Sequence, residues 1–367
     1  MRKLFVRIAI ALAAIAAVSG ASGQRAPPLP AMRGDGPPPE AKPSSVTRSD
    51  PGLDAVVPRG AKLGLMAQGF GLNEGPVWVP QGRSGYLLVS GLLDNVIYKI
   101  TPDKRVSVYL EKAGFSGDDP SQTGAQTRSG RSHVLLIGPS CTGLDSKGRL
   151  VWCADNDRTL MRLESDGSRT VLSASGPDGR RFSGPNDIAI RADDGVYLTD
   201  NDFGLRDAGK SFDKQMPNGV WLIRDGQSRL LLGAESLGGI PNGVALSPDE
   251  RFLYLTAFSK LWRYDVKPDG SLGERSLFAE GPAIGDGMKT DRAGNVYSTS
   301  GGGPGIVRIT SPAGKLLGFI NLPIYGGEPK KQVCATNVAF GGAGGHDLFI
   351  AACDAVYRIR LLSAGGR

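Results

Sequence analysis

The feature that most limits the fold is a repeat. Residues 240–256, IPNGVALSPDERFLYLT, hold a carboxamide before an apolar run, a Ser-Pro-Asp turn and a second apolar run. Two short strands about such a turn read as a β-hairpin. Variants recur at 183–200 (SGPNDIAIRADDGVYLTD), 285–300 (GDGMKTDRAGNVYSTS), 138–155 (GPSCTGLDSKGRLVWCAD) and 335–352 (ATNVAFGGAGGHDLFIAA). The most divergent copy is 72–90, LNEGPVWVPQGRSGYLLVS. A spacing of roughly 40–60 residues points to a propeller or solenoid.

Most copies continue into a third strand, such as NVIYKI, GVWLIR or AVYRIR, and often into a fourth after an Asp-Gly turn. Four antiparallel strands make a blade, and a lone blade leaves both faces and both edges open. Six copies therefore predict an all-β, six-bladed β-propeller over residues 61–364. Residues 62–68, KLGLMAQ, are expected to close the ring as the outer strand of the last blade.

Aligning the hairpins puts Glu74, Ser140, Asn186, Asn242, Asp286 and Thr336 at one place, the start of the innermost strand. Innermost strands line the channel, so these positions should meet at one mouth. Taken singly, a PNG or GDG motif reads as a turn; recurrence of a polar slot between differing loops is harder to assign to turns. Glu74, Asn186, Asn242 and Asp286 make a hard, all-oxygen donor set suited to calcium or a similar dication, with zinc, manganese and magnesium as alternatives. Ser140 and Thr336 read as channel wall within reach of substrate.

The first 23 residues combine a basic start with a short apolar run and small residues, as in a secretory signal peptide; an uncleaved anchor is the alternative. Residues 24–60 are rich in Pro, Ala, Arg and Ser and read as a disordered linker. The expected location is periplasmic or secreted, with no membrane span in the mature form. Formal charge is +7, and loss of Arg2, Lys3 and Arg7 with the signal leaves a small, scattered excess unlike a nucleic-acid stripe. The four cysteines have no C-x-x-C spacing, which argues against zinc or iron–sulfur sites. Cys334 and Cys353 face each other across the last hairpin and are the favoured disulfide; Cys141 and Cys153 read as offset by one residue. His133 and His346 fall outside the ring slots, which disfavours a Ser-His-Asp triad.

NEGPVW around Glu74, SGPNDI around Asn186, PNGVALSPDE around Asn242, GDGMKTDRAGNVY around Asp286 and TNVAFGG around Thr336 resemble, in order, the blade signatures of the senescence-marker-protein/gluconolactonase family, which includes regucalcin. The resemblance implies a catalytic dication on Glu74, Asn242 and Asp286, with Asn186 as ligand or substrate contact. It also implies hydrolysis of a sugar lactone, or of phosphorus esters as in some relatives. There are departures. Pro139–Ser140–Cys141 replaces a PNG motif, Ala154–Asp155 replaces Glu-His, and TDNDFG (199–204) replaces TDPPYG. These bear on substrate more than on metal.

Asp286 is the candidate ligand and general base, or alternatively a nucleophile. Glu74 would chiefly neutralise charge. Residues 115–134 and 201–217 are rim candidates. A non-catalytic, calcium-stabilised binding propeller is the remaining alternative.

Overall fold

The computed structural model describes residues 42–119, 125–128, 131–207, 210–211, 213–301, 305–324 and 334–366. Among them are five antiparallel sheets of four or more strands, plus two small two-stranded sheets. The propeller architecture is as expected, but the count of six separate four-stranded blades is not: there are five sheets. The reason lies in two long strands. Gly64–Gln81 pairs through residues 64–68 with 355–358, then, past a register break, pairs with Ser84–Gly91. Asp347–Arg360 likewise pairs first with Asn337–Gly341 and then with Gly64–Gln81. The first and last repeats are thereby fused into one six-stranded sheet. The 64–68 pairing is the closure the sequence predicts.

Each hairpin follows from alternation and turn chemistry. Val196–Asp200, a second strand, is buried along its whole length between neighbouring sheets. The DRAGN turn of residues 291–295 places Gly294 at φ +84°, where a side chain would be strained. Trp152, Trp221, Tyr197 and Tyr297 are fully buried. One apolar cluster joins Val151 and Leu160 of the second repeat to Ile188, Leu198 and Trp221 of the third. Burying each such side chain contributes about 1.5–3 kcal/mol.

The innermost strands touch in cyclic order: Gly64–Gln81, Thr142–Leu144, Pro185–Ile190, Pro241–Leu246, Met288–Thr290, Asn337–Gly341, then the first again. A hydroxyl pins each junction to a neighbouring carbonyl. Ser140 Oγ donates to Pro185 O (2.7 Å), Thr199 Oγ1 to Asn242 O (2.6 Å) and Thr256 Oγ1 to Asp286 O (3.1 Å). Thr299 Oγ1 donates to Thr336 O (2.7 Å), Thr336 Oγ1 to Asn73 O (2.9 Å) and Thr142 Oγ1 to Gly75 O. The carbonyls at and beside the polar slots are thus fixed from the adjacent repeat.

Residues 42–60 differ from the linker reading. Ser45–Arg48 adds a fifth strand beside Leu316–Asn321, and Leu53 is fully buried in the core. Arg48 ties this strap down, donating to Asp54 (2.6 Å), Val57 O (3.0 Å) and Pro58 O (3.1 Å). A polar, Pro-containing composition conceals it because one edge pairing and a few apolar anchors suffice. The chain also runs past residue 364: Gly365 bridges Asp291. The signal segment and residues 24–41 lie outside the described residues. No helix among the described residues is long and apolar enough to cross a membrane.

Both cysteine pairs form disulfides. The pairing of Thr142 with Trp152 sets Cys141 directly opposite Cys153, so the offset reading is corrected. Cys334–Cys353 joins the last repeat across its hairpin, with Cα atoms 5.5 Å apart.

Candidate metal and active site

Four predicted donors stand at the starts of inner strands, half-buried at one end of the channel: Glu74, Asn186, Asn242 and Asp286. Glu74 Oε2 accepts from Gly75 N–H at 2.6 Å. Its carboxyl is held well above the usual carboxylate range, first by burial and next by the charge of Asp286. That mutual influence joins residues more than 200 positions apart at one locus. Asp286 is fixed through its backbone, its N–H donating to Thr299 O (3.0 Å) and its carbonyl accepting from Thr256. Gly301, at φ +73°, lies so close that a Cβ there would sit 2.1 Å from Asp286 Oδ2. Asn186 Oδ1 is buried with no hydrogen-bond partner among the described residues.

Ser140 and Thr336 stand at the corresponding starts of the second and last repeats. Both are buried, 2% and 3% exposed, and both hydroxyls donate to backbone carbonyls. They brace the wall of the mouth.

Two functional side chains escape the alignment, Asp187 and Asn337. Each stands one position beyond the polar slot. Asn337 lies beside the Glu74 and Asp187 carboxyls and favours the charged form of each, while its Oδ1 accepts from Val338 N–H at 2.9 Å. Asp187 accepts from Ile188 N–H (2.9 Å) and Val244 N–H (3.1 Å). Burial raises its pKa, and Lys289 opposes that rise. The equivalent slot is glycine at 75, 243 and 287. A Cβ on Gly287 would meet Asn337 Cγ at 2.0 Å, and one on Gly243 would meet Asp286 O at 2.1 Å. Polar side chains among these glycines were the available signal.

Further along the same inner strands is a cavity of about 210 Å³, lined by Trp78, Ile188, Val244, Lys289 and Phe340 among others. Glu74, Asn186, Asn242 and Asp286 are not among its lining residues. Most of the 115–134 loop and part of 201–217, including the side chains of His133 and Arg206, fall outside the described residues.

Among the described residues no three His, Cys, Asp or Glu side chains form a metal-binding group. The ring instead offers two carboxylates and two carboxamides. The orphan Asn186 oxygen and the mutual repulsion of Glu74 and Asp286 are both relieved by a hard cation, so the residues present fit one.

Fold and site together define a β-propeller whose inner strands carry two carboxyls and two carboxamides at one end. The chain belongs to the SMP-30/gluconolactonase/LRE-like family, whose model matches residues 72–354. It is 32% identical over 336 residues to a gluconolactonase of Zymomonas mobilis, covering 87% of each chain. It is 24% identical to a lactonohydrolase of Aspergillus oryzae, covering 78% of this chain and 67% of the relative. Among solved structures it is similar to a gluconolactonase of Xanthomonas campestris, with TM-score 0.70, 25% identity, and coverage of 89% of this chain and 98% of that one.

Proposed function

We propose that this protein hydrolyses a sugar lactone at the donor-ring mouth of its channel, with one dication, calcium, held by Glu74, Asn186, Asn242 and Asp286. The observation that carries the reading is the pairing of Glu74 with Asp286 beside an unsatisfied Asn186 oxygen. Family membership and the lactone-hydrolysing names of the relatives support it.

A dication bound there supplies Lewis-acid polarisation of the lactone carbonyl. The chain's own residues do the rest. Glu74 balances charge. Asn186 and Asn242 contribute neutral oxygens, and their NH2 groups orient substrate. Asp286 takes the proton of the attacking water. Asn337 favours the charged forms of Glu74 and Asp187.

The location we propose is outside the cytoplasm. Two disulfides, Cys141–Cys153 and Cys334–Cys353, support it because such bonds persist in oxidising compartments. The deciding experiment is a pH-stat assay on gluconolactone with added calcium, with and without chelator, over a panel that includes pentonolactones and a phosphotriester. Calcium-dependent lactone opening supports the reading. Calcium binding without turnover on any member would leave a structural metal in a binding propeller.

A further inference from the structure

Two carboxyls outside the donor ring converge on the segment that delivers Asn186. Asp155 follows the second strand of the second repeat, Leu150–Ala154, and Asp200 ends the second strand of the third, Val196–Asp200. Both are buried, 8% and 0% exposed. They meet at Gly184. Asp200 accepts from Gly184 N–H (2.8 Å) and, through both oxygens, from Ser183 N–H (3.0 and 2.9 Å). A Cβ on Gly184 would lie 2.5 Å from Asp155 Oδ1. Gly184 is two residues before Asn186, and Pro185 O between them is pinned by Ser140.

The two carboxyls are not equivalent. Asp200 has a structural task, three hydrogen bonds that hold the turn. The Asp155 carbonyl accepts from Arg158 N–H (3.2 Å), but its carboxyl accepts no hydrogen bond and joins no ion pair among the described residues. The neighbouring charges are spent elsewhere: Arg158 pairs with Asp213 (2.7 Å), Lys214 with Asp202 (3.1 Å), and Arg181 donates to Asp157 O (3.0 Å). Burial and the charge of Asp200 push the Asp155 carboxyl up to about 8, while burial pushes Asp200 up to about 7 against its backbone bonds, Arg158 and Lys214. A buried carboxyl with no partner costs stability and braces nothing. Such a group is retained where chemistry uses it.

We propose that Asp155 is a substrate-side acid of this mouth, donating its proton to the ring oxygen of the bound lactone, while Asp200 fixes the wall on which it stands. The proposal rests on the lactonase reading. Water adds to the carbonyl carbon and the bond from that carbon to the ring oxygen breaks. The Asp155 O–H bond breaks as the new hydroxyl O–H forms on the departing oxygen. The proton lost by the attacking water then restores Asp155, so lactone plus water gives the hydroxy acid and the enzyme is unchanged.

The test is the pH profile of kcat/KM on gluconolactone at saturating calcium, corrected for the uncatalysed rate, for wild type, Asp155→Asn, Asp155→Ala and Asp155→Glu. Calcium affinity and melting temperature are read on the same samples. The expected result is a loss on the order of 10²-fold in kcat for the Asn and Ala variants. Calcium affinity stays unchanged, the alkaline fall of the wild-type profile disappears, and Glu partly restores the rate. Wild-type rates and an unaltered alkaline limb in Asp155→Asn would overturn it. So would loss of calcium binding, or a lowered melting temperature at pH 8, since either would give Asp155 a structural task. An inactive wild type that binds calcium instead sinks the lactonase reading, and this proposal with it.

Discussion

The donor ring and the Asp155–Asp200 pair are both buried acid clusters, yet they are built to opposite ends. In the ring, donors from separate repeats face one point. Glu74 and Asp286 repel each other there, and one amide oxygen has no partner. The dication proposed for this site would relieve both at once. In the pair, Asp200 is satisfied by the Ser183 and Gly184 amides, and Asp155 stands beside it without a donor. A single proton relieves that one. Burial raises the Glu74, Asp155 and Asp200 carboxyls alike, so the shift alone does not distinguish a metal site from an acid. The direction in which donors point, and the number of repeats that supply them, does.

The largest expected effect breaks the ring. Asp286→Asn should abolish calcium-dependent lactone opening, by on the order of 10³-fold or more, and weaken calcium binding, with the β-sheet circular dichroism unchanged. A variant that stays active without metal would refute the assignment of the ring. A second measurement sharpens the contrast. Because burial and the charge of Asp286 push the Glu74 carboxyl well above the usual carboxylate range, calcium binding should release protons, in a number that depends on pH. Titration calorimetry in buffers of differing ionisation enthalpy reads that number. The same release should vanish in Glu74→Gln and persist in Asp155→Asn, if the two clusters are separate.

The pair makes a prediction about pH and stability. In the unfolded chain both aspartates titrate near 4. In the folded protein Asp155 and Asp200 hold protons up to about 8 and about 7. The folded state thus binds more protons across this window, and stability must fall as pH rises from about 4 to about 8, then level off. Melting temperature of the calcium-loaded protein, followed from pH 5 to 9, should decline in wild type and decline less in Asp155→Asn. An identical slope in both would show that the carboxyl is ionised throughout.

How much of this was visible in the sequence depends on what each residue contacts. The polar slot was legible, since it recurs at the same place in each hairpin. Asp187 and Asn337 were not, because they act one position later, where the other repeats need glycine to admit a neighbour's backbone. The strap of residues 42–60 was hidden because its stability comes from Leu53 and an edge pairing, with no periodicity of its own. The fusion of the first and last repeats was only half legible: 64–68 could be named as the closing strand. That it runs on into the next repeat as one strand depends on a register break between Gln68 and Asn73.

The smallest expected effect concerns what the two clusters share, the hydroxyl pins. Thr199, Thr256 and Thr299 occupy one slot in three successive repeats, the sequences VYLTD, LYLTA and VYSTS. Each donates to the carbonyl of the adjacent polar residue, Asn242, Asp286 or Thr336. Valine in place of threonine keeps the shape and removes one hydrogen bond, which costs about 1 kcal/mol, with a further penalty for a buried carbonyl left without a donor. If the pins serve only the fold, Thr256→Val and Thr299→Val should lower stability alike and leave calcium affinity alone. If they also aim the donors, Thr256→Val should weaken calcium binding several-fold, because Asp286 hangs from the carbonyl it holds. Thr299→Val, whose partner Thr336 has its hydroxyl turned to the backbone, should not. Equal calcium affinities in the two variants would reduce the pins to fasteners and place the aiming of Asp286 in its own turn with Gly301.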